Sequence, residues 1–146
     1  MSIVRSLSSL AGVVALAFTV TACSAEPEPT PEPPSVVEDV AGSEVKSVAL
    51  RADAAEAIGL KTEAVAMATT AGRLTIPYSA VVYYLDGTTW TYAETGEHKY
   101  QRAPITVAGI EGDVATLTAG PAVGTPVVVV GAPEVLGAEL EIDGEQ

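Results

Sequence analysis

The chain has 146 residues, 7 Lys plus Arg against 19 Asp plus Glu for a formal charge of -12, and one cysteine. That length holds one small domain with a modest core. A net negative chain without a basic cluster repels phosphate backbones, which argues against nucleic acid as a partner. A single cysteine makes neither a zinc ribbon nor a disulfide framework.

Arg5 supplies a short positive start, and residues 10–20 are apolar except for Gly12 and Thr19. The apolar run is too short to cross a bilayer and is followed at once by prolines and acids, so residues 1–22 read as a secretory signal peptide. The segment ends Val20-Thr21-Ala22-Cys23, which resembles the lipobox of bacterial lipoproteins. The resemblance implies cleavage between Ala22 and Cys23 and a covalent lipid on the Cys23 sulfur. The mature chain would then sit outside the cytoplasm, anchored to the cell membrane or to an outer membrane.

Residues 23–45 read as a tether. From Ser24 to Glu44 they hold half of the ten prolines, six acids, no base and no aromatic residue. Such a composition cannot bury enough surface to fold and favours extended polyproline II. At about 3.1 Å per residue it would give a reach of roughly 60 Å. A Pro-rich partner motif is the alternative.

Residues 46–137 read as the folded domain and 138–146 as an acidic tail. The sequence predicts a mainly β fold, a small barrel or sandwich of about five to seven strands with one short helix. Its elements are a strand at Lys46–Leu50, a helix at 52–58 stopped by Gly59, and strands at 60–67 and 73–77. The strongest local signal follows, an Asp86-Gly87 dipeptide between apolar runs, which favours a two-residue type I′ turn. In that register Leu85 faces Thr88, Tyr83 faces Trp90 and Val81 faces Tyr92. Val81, Tyr83, Leu85, Trp90 and Tyr92 would then share one face and form a core hairpin. A turn at 94–99, a strand at 100–107, a turn at 109–112 and a strand at 113–118 come next, then a turn at 120–124 and a valine-rich buried strand at Pro126–Val130.

Several landmarks in order resemble the membrane-proximal domain of periplasmic adaptor proteins, the membrane fusion subunits of RND- and ABC-type efflux systems. They are Val48-Ala-Leu-Arg-Ala-Asp-Ala-Ala-Glu-Ala-Ile-Gly59-Leu60-Lys-Thr62-Glu-Ala-Val65, Ile76-Pro77-Tyr-Ser-Ala80-Val81-Val82, Asp86-Gly87-Thr-Thr-Trp90-Thr-Tyr92, Tyr100-Gln-Arg102 through Gly109, and Gly120-Pro-Ala-Val-Gly124 through Gly131. The resemblance spans nearly all of residues 48–131. It implies a non-enzymatic accessory subunit whose partner is a transporter subunit or another envelope protein. The lipoyl-like domain and helical hairpin of full-length adaptors have no counterpart, since only residues 66–72 lie between Val65 and the strand that opens at Arg73. Pro121, Thr125 and Pro126 also depart from the family's closing turn. The alternative is a free-standing envelope lipoprotein, a ligand or ion sensor or a structural surface protein, built on the same domain.

No chemistry-bearing motif stands out. His98 is the one histidine and reads as a turn residue. Ser79 lacks a nucleophile elbow, and the acids of 111–113 and of the tail lack calcium-loop spacing. The sequence therefore predicts no enzyme, no metal and no cofactor beyond the lipid on Cys23.

Overall fold

The computed structural model describes residues 32–69 and 72–141. Two antiparallel sheets stack in a sandwich-like arrangement, and neither closes into a barrel. The larger has seven strands: β1 (Ser35–Asp39), β2 (Lys46–Leu50), β3 (Lys61–Ala64), β6 (Val82–Tyr83), β7 (Thr89–Gly96), β8 (Lys99–Pro104) and β11 (Pro126–Val130). Its order is β1-β2-β8-β7-β11-β3, with β6 pairing β7. The smaller has four, β4 (Ala66–Met67), β5 (Leu74–Pro77), β10 (Val114–Ala119) and β9 (Thr106–Glu111), in the order β4-β5-β10-β9. Two α-helices complete the described residues, α1 (Ala52–Ala57) and α2 (Ala132–Glu141).

The mainly β fold agrees with the sequence, while the strand count is higher, in part because two expected strands each change sheets and in part because β1 forms where a tether was expected. The 60–67 stretch turns at buried Val65, whose N–H donates to the Thr125 carbonyl, so that β3 and β4 lie in different sheets. The 100–107 stretch does the same at buried Ile105, whose N–H donates to the Thr89 carbonyl, between β8 and β9. Alternation of apolar and polar residues runs through such corners unbroken, so it does not reveal them.

Residues 32–45, expected to belong to a disordered tether, contain β1. It pairs with β2 from Ser35↔Leu50 to Asp39↔Lys46, and Val37 packs on the core. Val36 and Val37 follow the last proline of the Glu-Pro run, and β-branched residues there suit a strand once β2 offers a ladder. The expected boundary at 137/138 also fails, because α2 runs across it. Gly131 turns the chain with a φ of 93°, which only glycine adopts readily. Pro133 then sits in the first turn, where a missing N–H costs nothing.

Two apolar clusters hold these layers. Ile76, Ala80, Ala115, Leu117, Val127 and Val129 pack between the sheets with the corner residues Val65 and Ile105. Val48, Tyr92, Tyr100 and Val128 pack beneath Ala132 and Val135 of α2. Strand β11 is thus buried on both faces, and each of its fully buried valines contributes about 1.5 kcal/mol or more.

The hairpin register differs from expectation by one residue. Val82 pairs with Trp90 and Tyr83 with Thr89. The loop has three residues, Leu85-Asp86-Gly87, closed by Tyr84 N–H donating to the Thr88 carbonyl and Gly87 N–H donating to the Tyr84 carbonyl. Gly87 takes the left-handed conformation at a φ of 84°. Asp86 selects this loop by accepting from both the N–H and the hydroxyl of Thr88, at 2.9 and 2.6 Å. The slip divides the expected face. Trp90 and Tyr92 pack with Val82, Val81 packs on the other cluster, and Tyr83 and Leu85 face solvent.

Candidate functional site

Two features concentrate polar and aromatic groups. The first is a buried clasp between β7, β8 and α2. Helical spacing puts Ala132, Val135, Leu136 and Glu139 on one stripe of α2, which carries Glu139 into the core at 2% exposure. Its carboxylate accepts from the Tyr92 hydroxyl at 2.6 Å and from Arg102 Nε at 2.9 Å. The guanidinium carbon of Arg102 lies 4.6 Å from the Tyr84 ring centroid and 5.0 Å from that of Trp90. Stacking on two aromatic faces compensates part of the hydration this cation loses. Trp90 Nε1 donates to Thr88 Oγ1 at 2.6 Å, and Thr88 donates to Asp86. A continuous polar path therefore joins the hairpin loop to the C-terminal helix.

The electrostatics match this geometry. Burial, and then the bond to Glu139, push the Tyr92 phenol far above its ordinary value. The Thr88 hydroxyl, and then the Thr88 N–H, hold the Asp86 carboxyl below the usual carboxylate range. Both Glu139 oxygens are engaged, so the clasp is a structural fastening that presents no free acid or base to solvent.

The second feature is the outward side of the hairpin. Leu85 is 100% exposed at the loop tip, Tyr83 is 54% exposed two residues before it, and Tyr78 in the adjoining 3-10 turn is 41% exposed. The neighbouring Tyr78 phenol raises the Tyr83 phenol above its ordinary value. A shallow groove of about 550 Å³ lies elsewhere, under α1, lined by Glu56, Lys61, Glu94, His98 and Tyr100. Thr62 Oγ1 lies 3.4 Å from Glu94 there.

Of the residues singled out in the sequence, Ala22 and Cys23 lie outside the described residues. Asp86 and Gly87 form the loop, Trp90 and Tyr92 belong to the clasp side, and Tyr83 and Leu85 belong to the exposed side. His98 sits in the β7–β8 turn with a φ of 55°, and Ser79 is exposed in the 3-10 turn. Among the described residues no group of three or more His, Cys, Asp or Glu is placed to hold a metal ion. Tyr84, Arg102 and Glu139 were not singled out. The signal for Glu139 was an acid on the apolar stripe of a ten-residue helix, hidden in a segment that reads as an acidic tail. No protein-family model, no curated protein and no solved structure matches this chain.

Proposed function

We propose that this protein is a non-enzymatic lipoprotein, anchored through Cys23 on the outer side of a bacterial membrane, that serves as an accessory subunit of an efflux transporter. The observation that carries the reading is the pairing of a lipobox-like ending at Cys23 with a β domain whose landmarks follow the order of an adaptor's membrane-proximal domain. Acyl chains at Cys23 would fix the domain beside its partner and raise its effective concentration there. Because β1 begins at Ser35, residues 24–34 alone separate the anchor from the fold. A fully extended chain of that length spans at most about 40 Å, so the domain works closer to the lipid than a tether ending at residue 45 would allow.

Cys23→Ser should move the protein from the membrane to the soluble fraction without changing its far-UV circular dichroism. Retention in the membrane would refute the anchor. Detergent extraction of the native lipoprotein should recover a transporter subunit with it, and repeated recovery of the lipoprotein alone would remove the accessory role.

One observation favours the second reading, a free-standing envelope lipoprotein. Ala66 and Met67 pair directly with Thr75 and Leu74, and Ala68 N–H donates to the Arg73 carbonyl. A tight connection therefore stands where a full-length adaptor carries its lipoyl-like and helical insertions.

A further inference from the structure

One side of the larger sheet is covered unevenly. In the β7–β8 ladder Tyr92 lies opposite Arg102, and Glu94 lies opposite Tyr100. Side chains alternate along a strand, so all four leave the sheet on the same side. Helix α2 closes the first pair through Glu139. At the second pair, α1 and the Gly59 turn leave the groove of about 550 Å³.

The fold leaves two groups in that groove short of partners. Tyr100 is 1% exposed yet lines the groove, and its hydroxyl has no hydrogen-bond partner among the described residues. Buried phenols usually find one, so this hydroxyl is fitted for a partner from outside the chain. Glu94 beside it is half-buried, and among the described residues its carboxylate accepts one side-chain bond, from the Thr62 hydroxyl at 3.4 Å. Burial, and then Glu94, hold the Tyr100 phenol above its ordinary value, so it stays neutral and its oxygen can accept. Lys61 and His98 line the same groove, but neither forms an ion pair among the described residues. The carboxylates of Glu94 and Glu56, which also lines the groove, disfavour an anion. A ligand's N–H cation would instead make a charge-assisted bond to Glu94 and a second bond to the Tyr100 oxygen. Ala55 and Leu60 line the groove as well and offer an apolar wall to a short hydrocarbon body.

We propose that this groove binds a small organic ammonium ion, with its N–H groups on the Glu94 carboxylate and the Tyr100 oxygen and its hydrocarbon part on Leu60. Such a site depends neither on how the chain is anchored nor on what it assembles with, and so goes beyond the accessory reading.

The test titrates the full-length protein in detergent with cyclohexylammonium and follows the methyl signals of Ala55 and Leu60 by NMR. The expected result is a saturable shift with a Kd of about 1 mM or below. Glu94→Gln should weaken binding by about tenfold or more, and Tyr100→Phe by about threefold or more. Tyr100→Phe should leave the thermal midpoint unchanged or higher, because its hydroxyl bonds nothing in the fold. Glu134→Gln, on α2, should leave binding unchanged. Cyclohexanol and cyclohexanecarboxylate should give no saturable shift over the same range. No saturation with the ammonium ion, equal affinity for cyclohexanol, or tighter binding of calcium ion at the same signals would each overturn the inference. So would an affinity indifferent to Glu94→Gln or to Tyr100→Phe. A lowered midpoint for Tyr100→Phe would overturn it as well, by assigning the hydroxyl to the fold.

Discussion

Glu139 owes its burial to two donors, and removing the acid strands one of them as an unpaired cation. Arg102 is only 12% exposed at its side chain, so Glu139→Ala should destabilise the fold by about 3 kcal/mol in urea titrations. Glu139→Gln keeps one acceptor and should cost about 1 to 2 kcal/mol. Glu134→Gln on the exposed start of the same helix should stay within about 0.5 kcal/mol. A Glu139→Ala loss no larger than that of Glu134→Gln would show that the clasp contributes nothing.

Tyr92 makes the same site sensitive to alkali. Its phenol stays neutral in the folded state far above the usual tyrosine value, whereas in the unfolded chain it ionises near pH 10. The unfolded state then binds fewer protons than the native state. Stability from this group is therefore fully present below about pH 9 and falls as pH rises through 10, by about 1.4 kcal/mol per unit. Tyr100, raised by burial and then by Glu94, adds to the slope in the same direction. Denaturant titrations of Tyr92→Phe between pH 9 and 11 should show a shallower decline than the parent chain, and parallel curves would contradict the assignment. At this scale the sequence was legible where a residue acts locally, as Asp86 and Gly87 do in their loop. It was opaque for Glu139, whose partners lie 37 and 47 residues away.

The hairpin shows how a local signal can give the right turn and the wrong face. Asp-Gly located the reversal, but the choice between a two-residue and a three-residue loop lay with the Thr88 hydroxyl, and one residue of register exchanges the buried and exposed sets. Two substitutions separate the alternatives. Leu85→Ser should change stability by less than about 0.5 kcal/mol, because Leu85 is fully exposed. Gly87→Ala should cost about 1 kcal/mol, because its φ of 84° strains any Cβ. A Leu85→Ser loss above about 2 kcal/mol would restore the two-residue register. The valine strand β11, helix α1 and its Gly59 stop were readable for the opposite reason, since composition and local breakers alone decide them. Strand β1 and helix α2 were not readable. Their own stretches are rich in Pro, Glu and Gly, and each is stabilised by a partner distant in sequence, β2 for one and the Tyr92–Arg102 pair for the other.

At the level of the molecule, the acidic ends are less separate from the domain than their composition implies. Glu38 of β1 lies 3.9 Å from Lys99, and Glu139 is neutralised by Arg102. A weak surface pair such as Glu38–Lys99 adds little, so β1 belongs to the fold through its ladder and Val37. A chain beginning at Glu32 should keep the thermal midpoint of the full-length chain. One beginning at Val40 loses β1 and should melt roughly 10 °C lower, as expected for a loss of about 2 kcal/mol in a domain of this size. Equal midpoints would return β1 to the tether.

The clasp also gives the protein an internal optical reporter. Trp90 is the chain's one tryptophan, and its ring meets the Arg102 guanidinium that Glu139 holds in place. Release of α2 would free that cation and admit water to the indole, so emission wavelength follows the docking of the last helix, while far-UV circular dichroism follows the sheets. Fluorescence and circular dichroism melts that superimpose would make helix and sheets one cooperative unit. An emission shift that comes first would make the C-terminal helix the weakest part of the structure, detaching under conditions in which both sheets persist.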